Sequence, residues 1–274
     1  KHEFRIAYYV LLAEGFAAYY DGLNHRSTHY FSKARELAKS NPNKAYELLV
    51  DIRQGNYYFI FRDISAALPY FIKADHNQQY VEYRLMPQAG MHTKMMGAFF
   101  GYIGNYDKAI SLYQKAGRYN HVTIRDKIDA TSAAGVYFMR IGKLDSAEKQ
   151  YNVAISLAQK SRDSVWIGIL QGNLGNIDLK RGDTTSALKR IKSNLRLSQK
   201  YSDPHDAMRT ALQLGILHAE MKKWDQAEQY LNLAKRHFKD RPFFLEYKTN
   251  ALKLHSDILF SKGRSEEALS TLQR

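Results

Sequence analysis

The sequence predicts an all-α protein: one solenoid of about seven helix pairs across residues 1–274, with a period near 40 residues. Three observations predict it. Small residues recur at Gly15, Gly55, Gly97, Gly135, Gly175, Gly215 and Ser256, in steps of 40, 42, 38, 40, 40 and 41 residues. Twelve residues after each anchor stand Ser27, Ala67, Ala109, Ala147, Ala187, Ala227 and Ala268. Sixteen after stand Phe31, Phe71, Tyr113, Tyr151, Ile191, Leu231 and Leu272. Self-similarity at a fixed period of this size marks a repeat architecture.

Each element has a physical reason. Small residues at the anchor and twelve on let two helices cross closely, and the large residue sixteen on fills the adjoining groove. Ala34, Ala74, Ala116, Ala154, Asn194 and Ala234 follow at nineteen. Seven residues after the anchor, Gly22, Gly104, Gly142, Gly182 and Gly263 suit the left-handed position that ends a helix, with Arg62 and Lys222 as exceptions. The stretches KLDSAEKQY and KWDQAEQY then start second helices, with Asp145 and Asp225 expected as N-caps and Glu148 and Glu228 as capping-box partners. Asn41-Pro42 and Asp203-Pro204 each place a capping residue before Pro at a helix start, and Asp240 with Pro242 reads the same way. YYFIFRD (57–63) would suit a buried strand, but the anchor spacing puts it on a first helix.

This order of small and aromatic residues resembles the tetratricopeptide repeat (TPR) over residues 5–274. The resemblance implies a right-handed superhelical solenoid whose first helices line a concave groove. It implies a scaffold, not a chemistry. Two features depart from the family. The period is near 40 where about 34 is usual, and the early Trp is replaced by Leu11, Asp51, Thr93, Thr131, Gln171, Ala211 and Leu252. Terminal repeats need polar caps, and the chain stops inside the second helix of the seventh unit. The parent protein is therefore expected to continue past Arg274.

Composition narrows the function. A hydrophobic share of 45% with 25% charged residues suits a globular domain. No run is long and apolar enough to span a membrane, so membrane contact is expected only through a segment outside this chain. The absence of cysteine excludes disulfides, thiolate metal sites and a Cys nucleophile. A net charge of +14 admits nucleic acid or an acidic partner. Residues 1–120 carry 15 Lys and Arg against 10 Asp and Glu, and the rest carry 26 against 17, with no basic block, which describes a solvated surface. His25 and His29 sit at i and i+4 without a third ligand. GNLGNIDLKRGD lacks the Lys-Ser/Thr of a phosphate-binding loop, and no Ser/His/Asp arrangement stands out. No catalysis, metal or cofactor is expected.

Positions −6, −3, +1, +4 and +5 from each anchor share a helical sector about 100° wide. The resemblance places that sector on the concave surface. The candidate groove residues are Tyr9, Phe16, Tyr19, Tyr20, Asn56, Phe59, Lys94, Tyr102, Met139, Arg140, Asn176 and Lys180. Of 20 Tyr, 15 lie in residues 1–120, as do 8 of 13 Phe, so the early groove is aromatic and the later one mixed and charged. Either these rings anchor a peptide, or they pack on one another and on a neighbouring segment. Asn56 and Lys94 occupy two places of the carboxylate clamp some TPR domains carry, but Ala98, Ser132 and Val136 break it. In the fifth and sixth units Asp178, Asn194 and His218 interrupt the apolar code and are expected to meet each other or water.

The function expected is non-catalytic recognition of a protein or peptide by the sensor or scaffold region of a larger signalling protein. A nucleic-acid-associated basic repeat protein and a structural or oligomerisation adaptor are the alternatives, and the oligomeric state stays open. A loose similarity to Bacteroidetes-type regulators implies a periplasmic setting, with the cytoplasm as alternative.

Overall fold

The computed structural model describes residues 2–82, 85–119, 122–238 and 245–273. Among the described residues there are fourteen α-helices and no strand. They run as seven pairs: α1 (His2–Tyr20) with α2 (Asn24–Lys39), α3 (Ala45–Ile60) with α4 (Ile64–Asn77), α5 (Ala89–Tyr102) with α6 (Tyr106–Ala116), and α7 (Ile124–Arg140) with α8 (Leu144–Lys160). They continue as α9 (Ser164–Lys180) with α10 (Thr184–Lys200), α11 (Pro204–Glu220) with α12 (Trp224–Lys235), and α13 (Leu245–Ser261) with α14 (Ser265–Leu272). Every anchor lies on the first helix of a pair, and residues 57–60 are helical as the spacing required. The chain forms two compact units that divide within α8, after Ala147.

In the first unit the anchors meet the residues sixteen on. A Cβ built on Gly15 would lie 3.0 Å from the Phe31 ring, one on Gly55 3.2 Å from Phe71, and one on Gly97 2.9 Å from Tyr113. Tyr8, Leu12, Phe31, Ile52, Phe71, Met96 and Phe99 build the core around these crossings. Ser27 replaces Ala in the first pair, and its hydroxyl donates to the Gly15 carbonyl at 2.7 Å. The early Trp position of the second pair holds Asp51, which is buried and paired with Arg35 of α2 and, at 3.2 Å, with Lys73 of α4.

The second unit repeats the rule. A Cβ on Gly175 would lie 2.9 Å from Ile191 Cγ1 and 3.2 Å from the Ala187 carbonyl oxygen. One on Gly215 would lie 3.3 Å from the Ala227 carbonyl oxygen. Ile191, Met208, Leu212, Leu214, Leu231, Leu254 and Ile258 form the core. In the last pair the polar swap is reversed: Ser256 is the anchor, and it donates to the Ala268 carbonyl at 2.9 Å. Ala147, Tyr151, Ala154 and Ala158 of α8 are fully buried.

First helices end in one way. The N–H eight after the anchor donates to the carbonyl three after it: Leu23 to Ala18, Asp63 to Tyr58, Asn105 to Phe100, Lys143 to Phe138, Asp183 to Asp178, Lys223 to His218 and Arg264 to Leu259, at 2.8–3.0 Å. This is the six-to-one bond of a Schellman cap, and it needs a left-handed residue just before the donor. The two exceptions comply: Arg62 (φ 64) and Lys222 (φ 58) take the conformation of the five glycines.

The starts of the second helices correct the sequence expectation. Asp145 and Asp225 lie in the first turns of α8 and α12, not at the caps, and Lys223 caps α12 without a side-chain bond. The capping position is eight after the anchor, where Asp63, Asn105 and Asp183 accept from Ala66, Lys108 and Ser186 N–H. Glu148 and Glu228 do not close capping boxes. They pair with Arg181 at 2.8 Å and Lys262 at 2.6 Å in the following repeat. Asp203-Pro204 starts α11 as expected. Asn41 instead shapes a turn by accepting from Asn43 N–H, and α3 begins at Ala45. Asp240 and Pro242 lie outside the described residues.

Asp178, Asn194 and His218 do not meet one another. Asp178 Oδ2 lies 2.8 Å from Arg190 Nε. The His218 Nδ1 is 2.7 Å from the Leu214 carbonyl. Asn194 is buried under Gly168 and Gly172 and donates to Thr210 Oγ1 at 2.9 Å. Ser198 and Asp206 continue that polar seam between α10 and α11.

Two substitutions test the crossing and the cap. Gly175→Ala pushes a methyl against Ile191 and a backbone oxygen and is expected to cost about 1–3 kcal/mol in urea unfolding. Lys222→Gly relieves a left-handed lysine and is expected to add about 0.5–1 kcal/mol in the same measurement.

Candidate binding groove

In the second unit α9, α11 and α13 bring several of the sector positions together. A cavity of about 320 Å³ is lined by Asn176, Leu179, Arg209, Leu212, Ile216, Glu220 and Asn250 from those positions, with Gln213 beside them. A second cavity of about 900 Å³ shares Ile216, Glu220 and Asn250 and extends over Lys253, Asp257 and Phe260 to Leu269 and Leu272 of α14. The two make one groove with an apolar floor and polar walls. The Asn176 carboxamide oxygen accepts from the Gln213 amide, Arg209 is held by Asp206 at 2.5 Å, and Asn250 is exposed. Phe260 is 68% exposed. Lys180 ends α9 exposed and lines neither cavity.

The first unit treats its groove positions differently, because neighbouring side chains already occupy them. Tyr9 is half-buried against Tyr8, with ring centroids 5.3 Å apart, and burial raises its pKa. Phe16 packs on Tyr57 at 4.5 Å, and Tyr19 on Tyr58 at 5.0 Å. The Tyr19 hydroxyl donates to Asp63 at 3.4 Å. Phe59 meets Phe99 and Tyr102 edge-on. Tyr20 and Tyr102 stay exposed, at 69% and 53%, leaning on Phe61 and under the Arg62 guanidinium. Asn56 is nearly buried, Met139 is half-buried, and Arg140 reaches over the Tyr106 ring.

Lys94 is a tie between helices. Its ammonium lies 2.8 Å from both Asp126 and Asp129 of α7. Burial opposes the charge on Lys94, but these bonds outweigh it and raise its pKa. The same bond from Lys94, with one from Thr123, lowers that of Asp126. Sequence reasoning also missed a local clustering of charge. Lys189, Lys192, Arg196 and Lys200 form one exposed stripe on α10, a helix with no acidic residue. Among the described residues no group of three His, Asp or Glu could hold a metal ion, and no helix is long and apolar enough to cross a membrane.

Residues 166–240 match the family model of the tetratricopeptide repeat. No curated protein sequence matches the chain at a significant level. Among solved structures, the apo form of RapI is similar at TM-score 0.67 and 12% identity, over 97% of this chain and 95% of that one. A tetratricopeptide repeat protein from Parabacteroides merdae is similar at 0.63 and 14% identity, over 97% and 91%. NprR, in complex with its cognate peptide NprX, is similar at 0.63 and 15% identity, over 96% and 76%. These likenesses show the fold, an all-α array of TPR-like helix pairs.

One buried group carries a pH dependence. His92 of α5 is fully buried, with Nδ1 3.1 Å from the carbonyls of Pro87 and Gln88. Burial first, and the Arg53 charge second, push its pKa down to about 3. The unfolded chain therefore binds a proton near pH 6.5 that the folded chain refuses. Stability is full above that pH and falls below it, by up to about 1.4 kcal/mol per pH unit. Urea unfolding between pH 7.5 and 4.5 is expected to show this slope, and His92→Gln to flatten it.

Proposed function

We propose that the chain is a non-catalytic recognition module that binds an extended peptide or protein segment along the groove of its second unit. The observation that carries this is the pair of adjoining cavities lined by equivalent positions of three successive first helices. Carboxamides match the donor and acceptor alternation of a peptide backbone, and Asn176, Gln213 and Asn250 place three of them along the groove. Ile216, Leu254 and Phe260 offer apolar contact for side chains, while Glu220, Lys253 and Asp257 supply charge that selects among them. NprR, similar in fold, is described with a bound peptide, which supports the same use here. The wider role, as the sensor region of a larger signalling protein in a periplasmic setting, extends the proposal along the resemblance to Bacteroidetes-type regulators. The aromatics of the first unit then act as packing, since their rings contact one another.

Panning a displayed random-peptide library on the folded chain provides the ligand. Asn250→Ala with Phe260→Ala is expected to weaken the enriched peptide at least about tenfold by calorimetry, with the helical circular dichroism unchanged. Tyr20→Ala with Tyr102→Ala is expected to leave it within about twofold. The reverse pattern would move the binding face to the first unit.

A further inference from the structure

We infer that the first unit carries a separate anion site, a cavity built to take a carboxylate on an apolar body. The cavity holds about 700 Å³ and opens between the links that precede α5 and α7, with Arg5, Tyr46, Met86, Gly90, Arg118 and Val122 on its walls. That is the size of an ordinary small-ligand pocket. It draws positive charge from separate places in the chain. Arg5 comes from α1 and Arg118 from the turn after α6, and neither has a carboxylate within ion-pair distance among the described residues. The one carboxylate on the wall among the described residues, Asp126, is already engaged by Lys94 at 2.8 Å and by Thr123 at 2.6 Å. A third guanidinium, that of Arg53, lies off the cavity wall. Arg53 sits among Tyr8, Tyr9 and Tyr57, and its buried Nε finds no acceptor among the described residues.

The cavity also reaches the start of α5. Gln88 precedes that helix and makes no side-chain cap, so the first-turn N–H groups of Ala89 and Gly90 add their partial positive charge to the two arginines. Gly90 is required for the shape: a Cβ there would lie 2.7 Å from Val122 Cγ2, so the link before α7 closes directly over the helix start. The remaining wall mixes apolar side chains, from Leu85, Met86, Pro87, Met91 and Val122, with Tyr46, Gln88 and Tyr119. A phosphate dianion would be badly matched to this wall and to the Asp126 carboxylate. A singly charged acid with an aromatic or aliphatic body satisfies both ends, the carboxylate drawn to the arginines and the body lying on Met86. The free acid and the end of a peptide share this chemistry.

The test is a titration of the whole chain, read from the methyl signals of Met86 and Met91, with N-acetyl-phenylalanine, its amide, 3-phenylpropionate and inorganic phosphate. N-acetyl-phenylalanine is expected to shift both methyls and to bind at least about tenfold more tightly than the amide, the worth of one charge-assisted contact. Arg5→Gln with Arg118→Gln is expected to lose the same factor, and Arg118→Lys to keep part of it. Both residues are exposed, so an unchanged amide spectrum verifies the fold of each variant. Equal binding of 3-phenylpropionate assigns the site to a free acid, and its failure beside N-acetyl-phenylalanine assigns it to a peptide end. Equal binding of the amide, an unchanged affinity in the double variant, shifts with phosphate alone, or no shift with any acid would each overturn the proposal. None of these outcomes bears on the groove of the second unit.

Discussion

The structure depends on one steric constraint: the close crossing of two helices at a residue without bulk. At Gly15, Gly55, Gly97 and Gly175 a single added carbon would come within about 3 Å of the residue sixteen on. That contact sets the distance between the helices of a pair, and the distance fixes how far the link between them must travel. Eight residues separate the crossing from the donor of the six-to-one cap. The cap's left-handed residue follows from that short path, which is why arginine and lysine adopt it where glycine is missing. Where a pair admits a hydroxyl, at Ser27 or Ser256, the oxygen satisfies itself on the facing carbonyl and the spacing is kept.

With one face of each first helix held so tightly, chemical variety is confined to positions the crossing does not use. Buried polar groups then knit neighbouring helices together. Asp51 stands where the family has Trp and takes Arg35 and Lys73 from the second helices on either side. Gln171, at the same place in the fifth pair, accepts from Arg190 at 2.6 Å. A large ring at that position would bring apolar area, whereas an ion pair brings direction, since each partner must be met at a set angle.

This explains what could be read in the sequence. Exclusion of bulk leaves a compositional trace at a fixed period, so the anchors and the pairs were legible. The N-caps of the second helices were not, because the residue that ends one helix also starts the next, and in α12 that residue is Lys223, which cannot accept. The more eye-catching Asp225 lies two residues inside. Lys94 looked like a ligand-binding lysine because its partners, Asp126 and Asp129, stand more than thirty residues away. Sector geometry says which way a side chain points, but not whether a neighbour already fills the space in front of it. Phe16, Tyr19 and Phe59 pack on Tyr57, Tyr58 and Phe99.

The two units therefore use one helix pair to different ends. In the first, Phe16, Tyr19 and Phe59 at the groove positions pack on neighbouring rings, which stabilises the pairs, while Tyr20 and Tyr102 stay exposed. In the second, the equivalent positions carry Asn176, Arg209, Leu212, Ile216, Glu220, Asn250, Lys253 and Phe260 and line open cavities, with Asn176 bonded to Gln213. Side chains that leave the space in front of them open make a trough, and the rings of the first unit fill most of theirs. The open trough along α9, α11 and α13 follows from the space their side chains leave. The charged cavity beside Arg5 and Arg118 arises by the opposite route, from the links between pairs, where no crossing dictates the residue and cations from distant parts of the chain can converge.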